Sequence, residues 1–403
     1  MKFTCDLLRD FEIHVTHDLL ESPVFHSALD QRKSLLVTTP TVDSLHGARL
    51  RQIVDSHRYD LVYTVQHINE RTKTMESAMR IAALAKEHRI DRHGQLIAFG
   101  GGVCSDIVGL AACMIRRGLR YVRIPTTLIG QVDAGVGLKV GVNFGSSKNY
   151  LGQFYPPQTV IIDPRFLQTL PPAQIRHGLA EILKMALVRE ARLFEIVALY
   201  GEELTRERFA RPAGPAMHII ERSIALMVEE LGENPYETKS LKRLVDFGHT
   251  FSPEIEAASG YQIPHGDAVA MDMALSSALA TLMGLLEPEI LELILSTFET
   301  LDLPLIAKVV DEDLCVRALA AAELHRGGNI NLVVPTSIGS ACFIEDSKAI
   351  DASVIRAAVA QLRRRARPSR RRRPLLTPDH AAHAAGLSVV AAGNGGRRML
   401  RGA

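Results

Sequence analysis

Long apolar runs are missing from this chain: no stretch of about 18 consecutive apolar residues occurs, so a membrane-spanning helix is not expected. A charged, then apolar, then small-residue leader is also missing from the N-terminus, so secretion is not indicated and a cytoplasmic protein is expected. Cysteine is sparse. The five cysteines (Cys5, Cys104, Cys113, Cys315 and Cys342) form no CxxC pair and no framework spacing, which argues against a disulfide scaffold and leaves reduced thiols with no assigned chemistry.

Charge is unevenly divided. From Arg363 to the end there are eleven arginines, no lysine and one acid, Asp379. Residues 1–362 therefore carry 36 basic and 44 acidic side chains, a net of −8, although the whole chain comes to +2. The basic run 363–373 precedes a low-complexity Ala/Gly-rich end and reads as a solvated tail without order. No aromatic residues interleave with it, so nucleic acid is not expected as a partner.

A chain of 403 residues, 47% of them hydrophobic, is long enough for two domains with a sizeable core. In the first part, apolar runs at Ser34–Thr39, Leu61–Val65, Leu96–Phe99, Tyr121–Ile124 and Val160–Asp163 read as strands. They alternate with helix-periodic segments at about 75–88 and 107–115, which predicts an α/β layer with a mainly parallel sheet. After Pro171-Pro172 the segments become Ala/Leu-rich and helix-periodic, beginning with 173–188. The expected division is an α/β domain over 1–165, a helical domain over 166–362 and the tail over 363–403.

Three stretches carry chemistry. Phe99 is followed by Gly100, Gly101 and Gly102 and then by a helical pattern, giving strand, glycine turn and helix. Glycine lets the backbone approach a phosphate, and a helix N-terminus favours an anion, although such turns also serve simply to pack helix on strand. Residues 125–152 place Asp133, Lys139, Lys148 and Asn149 amid six glycines. Cations and amide donors on a permissive backbone suit a phosphorylated, hydroxylated substrate; a solvated turn-rich loop is the plainer alternative.

In the helical part, Glu181 and Lys184 share a helix face within an apolar segment, which is either functional or an ion pair. His249 and His265 lie sixteen residues apart, each beside a glycine. They can converge on one ion if a carboxylate completes the set, with Glu181 the best placed and His177 a rival on the same face as Glu181.

Taken in order over residues 30–345, these motifs resemble the sugar phosphate cyclase superfamily, typified by dehydroquinate synthase. The resemblance rests on Gly100-Gly-Gly-Val-Cys-Ser-Asp106, Arg117-Gly118, Pro125-Thr-Thr-Leu128, Asp133, Lys139, Lys148-Asn149, Leu170-Pro171, Glu181-Ile-Leu-Lys184, Gly248-His-Thr250 and His265-Gly266. It implies a Rossmann-like N-terminal domain that binds NAD, an α-helical metal and substrate domain, catalytic zinc or cobalt, a small sugar phosphate substrate and a homodimer. Carried over by position, Glu181, His249 and His265 are metal ligands. Glu70, Lys73, Gly101, Gly102, Asp106, Thr126, Thr127, Asp133 and Lys148 are cofactor-side residues. Lys139, Asn149, Lys184, Arg243 and Asp246 are substrate-side, and Arg117 is supplied across the dimer.

The departures narrow the substrate. Where dehydroquinate synthase resembles Leu-Asn-x-Gly-His-Thr-x-Gly-His, this chain has Asp246 for the Asn and Pro253 for the second His. The lysine expected fourteen to sixteen residues before Arg243 is replaced by the run starting at Met227, and a later Lys-Lys pair by His325-Arg326. Losing cations that grip a carboxylate disfavours a quinate-type substrate. The pattern Asp246-Phe-Gly-His-Thr-Phe-Ser-Pro253, with Gly141-Val-Asn-Phe-Gly145, is instead similar to the C7-cyclitol branch, the 2-epi-5-epi-valiolone synthases and their relatives.

The activity this resemblance implies is a lyase reaction that cyclises sedoheptulose 7-phosphate, with transient NAD-dependent oxidation, phosphate elimination, reduction and aldol closure. The alternatives are 2-epi-valiolone or desmethyl-4-deoxygadusol synthesis, 3-dehydroquinate synthesis, and a metal-dependent polyol dehydrogenase. Pro253, Asp272 and His325 are the positions expected to select the product isomer. Asp267, where the branch commonly has Glu, is assigned no role.

Overall fold

The computed structural model describes residues 11–30, 32–145 and 147–366. Six strands form one parallel sheet: β1 (Glu12–Val15), β2 (Ser34–Thr38), β3 (Leu61–Val65), β4 (Gln95–Gly100), β5 (Arg120–Pro125) and β8 (Thr159–Ile162), in the order β1-β8-β5-β4-β2-β3. The central strands β2 and β4 are buried throughout, as near-continuous apolar runs in a sheet covered on both faces must be. Helices α1 (Pro23–Asp30), α2 (Pro40–Val42), α3 (Ala48–His57), α4 (Met75–Glu87) and α5 (Gly102–Met114) supply those covers. The chain leaves β2 for one edge at β3 and returns on the other side of β2 as β4. That reversal puts a switch point at the carboxyl ends of β2 and β4, where open α/β sheets bind ligands. Register places Gly100 of β4 opposite Pro125 of β5, so the glycine turn and the Thr126-Thr127 turn leave the sheet side by side.

The glycine-rich segment is not a plain loop. It folds as an antiparallel hairpin, β6 (Lys139–Phe144) with β7 (Ser147–Phe154), because Val140 and Val142 alternate inward onto α5.

The rest of the chain is α6 (Pro172–Arg189), α7 (Ala191–Arg206), α8 (Ala213–Glu233), α9 (Ser252–Ala258), α10 (His265–Leu282), α11 (Pro288–Thr300), α12 (Glu312–His325) and α13 (Ala352–Arg365). From Ala268 to Ala280 α10 is buried on every side, the mark of a helix at the centre of a bundle, and it packs on α6 and α13. The helical part also contains a hairpin, β9 (Leu332–Ser337) with β10 (Ser340–Ile344), closed at Gly339 in the left-handed region at φ 82°. One correction applies here. The arginine run does not begin as a free tail: Arg363 to Arg365 belong to α13, where Arg365 pairs with Glu292 and Glu299 and Arg363 donates to Val310 O at 2.9 Å. The tail from residue 367 onward lies outside the described residues. Among the described residues no helix is long and apolar enough to cross a membrane.

Candidate active site

A cleft of about 1120 Å³ opens between the carboxyl edge of the sheet and the helical part. Every residue expected to act as a metal ligand or on the cofactor or substrate side lines it except Arg117. Arg117 is exposed, with left-handed backbone at φ 66°, beyond the C-terminal end of α5 and so at the far end of that helix from the glycine turn.

Glu181, on α6, is the centre of the helical wall. One carboxylate oxygen lies 3.2 Å from His265 Nε2 and 3.8 Å from His249 Nε2, and the three potential ligand atoms all fall within 4.8 Å of one another. His249 Nδ1 lies 3.0 Å from Phe247 O, and His265 Nδ1 lies 3.0 Å from Glu256 Oε1. With Nδ1 donating in both cases, both Nε2 lone pairs face Glu181. Two imidazole nitrogens and one carboxylate oxygen, buried at the carboxylate and open toward the cleft, could together hold a metal ion and are donors of the types that catalytic zinc and cobalt sites use. Among the described residues this is the one cluster of its kind. The rival His177 instead faces Asp267, at 3.5 Å.

Two glycines make the convergence possible. Gly248 sits at φ 76°, and a side chain there would also meet Met273 at 2.9 Å. A Cβ on Gly266 would stand 2.4 Å from the His177 Cα, so glycine is what lets the start of α10 lie against α6 and bring His265 to Glu181. The electrostatics follow from burial in company. Lys184 Nζ reaches Glu181 at 2.8 Å and Asp133 at 2.7 Å. Burial opposes the Lys184 charge, but the two carboxylates outweigh it and raise the ammonium above its ordinary value. Burial likewise opposes the Glu181 charge, yet Lys184 and the two histidines hold it well below the usual carboxylate range. His265, disfavoured by burial but held by Glu181 and Glu256, is raised to about 10. The carboxylates that would keep a proton on His265 would equally hold a metal there.

On the sheet wall, Gly101 and Gly102 line the cleft at the start of α5, where a Cβ would meet Thr127 Cγ2 at 3.1 Å or Ala134 Cβ at 3.3 Å. Bare backbone at a helix N-terminus suits the pyrophosphate of a dinucleotide. Beside it Lys73 pairs with Asp106 at 2.6 Å and with Asn149, while Asn143 donates to Glu70 at 3.0 Å. Lys139 and Arg243, expected on the substrate side, both contact Glu237, and Arg243 also contacts Asp246.

Four functional positions escaped the sequence reading. Glu256 backs His265 and holds Lys148; Glu237 joins Lys139 to Arg243; Asn143 anchors Glu70 and the Asn149 amide. Arg123 is wholly buried and donates to the carbonyls of Ala134, Gly135 and Gly137, at 3.2, 3.1 and 2.5 Å, fixing the turn that follows Asp133. An arginine inside an apolar strand was its signal.

Two of the three isomer-selecting positions are not where the sequence reading put them. Asp272 lies beneath the site, fully buried, its carboxylate accepting from the amides of Thr250, Phe251 and Ser252 at 2.8, 2.5 and 2.8 Å. It caps the start of α9 rather than facing a ligand. His325 is exposed outside the cleft, whereas Pro253 and Met227 do line it.

Models of the 3-dehydroquinate synthase N-terminal and C-terminal regions match residues 63–177 and 178–322. The chain belongs to the dehydroquinate synthase family. Within that family it is 42% identical to the 2-epi-5-epi-valiolone synthase of Streptomyces glaucescens, over 89% of this chain and 93% of that one. It is 32% identical to the 2-epi-valiolone synthase of Actinosynnema mirum, over 88% and 92% of the two chains. The solved structure of ValA, the 2-epi-5-epi-valiolone synthase of Streptomyces hygroscopicus subsp. jinggangensis with NAD+ and Zn2+ bound, superposes with a TM-score of 0.86 at 40% identity, covering 91% of this chain and all of that one. This family member is therefore a sugar phosphate cyclase.

Proposed function

We propose that this chain is a 2-epi-5-epi-valiolone synthase. It cyclises sedoheptulose 7-phosphate with release of phosphate, a lyase reaction without net oxidation. The observation that carries the reading is the Glu181, His249 and His265 trio facing a glycine turn across one cleft, in a chain 42% identical to such a synthase. Met227 and Pro253 line the cleft where a quinate-type substrate would need cations, which favours a sugar that is neutral apart from its phosphate.

NAD lying on Gly101 and Gly102 would supply a hydride acceptor that returns the hydride within the turnover. Zinc, or cobalt in its place, held by Glu181, His249 and His265, would supply a Lewis acid to adjacent substrate oxygens. The chain's own groups do the rest. Lys184 sets a buried positive charge beside Glu181 and Asp133, aimed at negative charge that develops near the metal ligands. Thr126, Thr127, Asp106, Lys73 and Glu70 form the cofactor wall. Lys139, Asn149 and Arg243 hold one flexible intermediate in place, with Asp246 fixing the Arg243 guanidinium. The departing phosphate serves as its own base. The working unit is a homodimer in which Arg117 of each chain completes the cleft of the other, and the protein acts in the cytoplasm.

The test is incubation of the purified chain with NAD, Zn2+ or Co2+ and sedoheptulose 7-phosphate, with 3-deoxy-arabino-heptulosonate 7-phosphate in parallel. Phosphate release from the first sugar, with 2-epi-5-epi-valiolone identified by NMR, is the expected result. Turnover of the carboxylated sugar alone would make this a dehydroquinate synthase, and a different cyclitol from the first sugar would move it to a neighbouring branch.

A further inference from the structure

Glu256 divides one carboxylate between the two walls of the cleft. One oxygen faces His265 Nδ1 at 3.0 Å, on the ring that turns its Nε2 to Glu181; the other holds the Lys148 ammonium. Glu256 itself is 4% exposed, so water replaces neither contact easily. Lys148 is quite different. It stands on β7, lines the cleft, lies over the Tyr261 ring at 5.3 Å and has a second carboxylate, Glu70, at 3.8 Å. A cation that lines the cleft, tightly paired with Glu256 and more distantly with Glu70, is within reach of an anion that enters the cleft.

We propose that Glu256 is a positioning residue that couples the metal centre to the anion-binding wall. An anion at Lys148 draws the ammonium away from Glu256. More of the carboxylate's charge is then left to the Nδ1–H of His265, and a better-backed imidazole is a stronger ligand through Nε2. Anion and metal therefore tighten each other's binding, by the same factor in each direction. The inference rests on the reading that Lys148 faces the bound cofactor and that Glu181, His249 and His265 hold the metal.

The experiment titrates Co2+ into the full-length chain after its metal has been removed, following the visible absorption of the bound ion. It is run alone, with saturating NAD and with inorganic phosphate, and NAD binding is measured separately. NAD is expected to tighten Co2+ by about fivefold or more, the lower end of ordinary coupling between sites. An effect from phosphate as well would place the anion at Lys148 itself; an effect from NAD alone would assign it to the cofactor. In Glu256→Gln, Co2+ affinity is expected to fall about tenfold and the NAD effect to shrink below about twofold. In Lys148→Met the NAD effect should vanish with no loss of Co2+ affinity, a signature that loss of packing would not produce. The proposal is overturned if NAD binds the wild-type chain without changing Co2+ affinity, or if Glu256→Gln weakens Co2+ equally with and without NAD. Failure of NAD to bind at all would overturn the underlying reading of the cleft instead.

Discussion

The two walls of the cleft are built by opposite means. The sheet wall offers backbone and hydroxyls: two glycines at a helix start, Thr126 and Thr127 on the adjoining turn, and two cations, Lys139 and Lys148, that are partly open to solvent. The helical wall offers ionised side chains taken out of water, with Glu181 and Lys184 each 2% exposed. The contrast teaches where each wall is vulnerable. A wall made of backbone fails by steric intrusion, and one made of buried charge fails when a single partner is lost.

The largest effect should come from the helical wall. Glu181→Gln removes the charged ligand of the trio, and phosphate release should fall by about a thousandfold or more together with the protein's metal content. Lys184→Met leaves Glu181 and Asp133 facing each other without their shared cation. Denaturant unfolding of the metal-free chain should then lose about 3–5 kcal/mol.

The glycines sharpen the comparison within one residue type. Gly266→Ala drives a methyl group into the His177 backbone and should cost about 3 kcal/mol along with weaker metal binding. Gly101→Ala meets only the end of the Thr127 side chain. It should cost about 1 kcal/mol and weaken NAD binding while metal affinity stays as it was.

Arg117→Ala should leave stability unchanged, since the side chain is exposed, yet lower activity if the arginine serves the partner's cleft. Mixing this variant with Glu181→Gln and letting subunits exchange should restore about a quarter of wild-type activity, because half the dimers then carry one complete site. No recovery would place Arg117 outside the reaction.

The smallest effect lies away from the cleft, at Asp18 beside β1. The Arg165 guanidinium holds its carboxyl below the ordinary value of 3.8. A depressed folded value means that this stabilisation is present above the unfolded value and is lost as pH falls through the folded one. The stability gap between wild type and Arg165→Met should be constant above about pH 5 and close in the acid range, and it should be modest because the pair is partly exposed.

Much of the architecture was legible in the sequence because it depends on local pattern. The apolar runs of β2, β3 and β8 and the helical periodicity of α4 and α6 lie where the spacing put them. The β9–β10 hairpin was not read, since Leu332-Val-Val is too short a run to distinguish from buried helix by period. Glycine beside each histidine pointed to the trio, whereas the reason, the approach of α10 to the His177 backbone, exists only in the fold. Glu256 backs a histidine nine residues away across a turn, and Glu237 reaches two cations from a loop; neither spacing carries a signal. Asp272 misled because a buried acid that caps a helix and one that meets a ligand look alike in sequence.

The most direct test of the central claim, that one cleft returns the hydride it takes, uses sedoheptulose 7-phosphate deuterated at C5 with the Zn2+-loaded chain and unlabelled NAD. The account predicts phosphate release, deuterium retained in the cyclitol product and no accumulation of NADH. Deuterium recovered in free NADH, growing in step with an oxidised sugar, would contradict it and make the protein a polyol dehydrogenase.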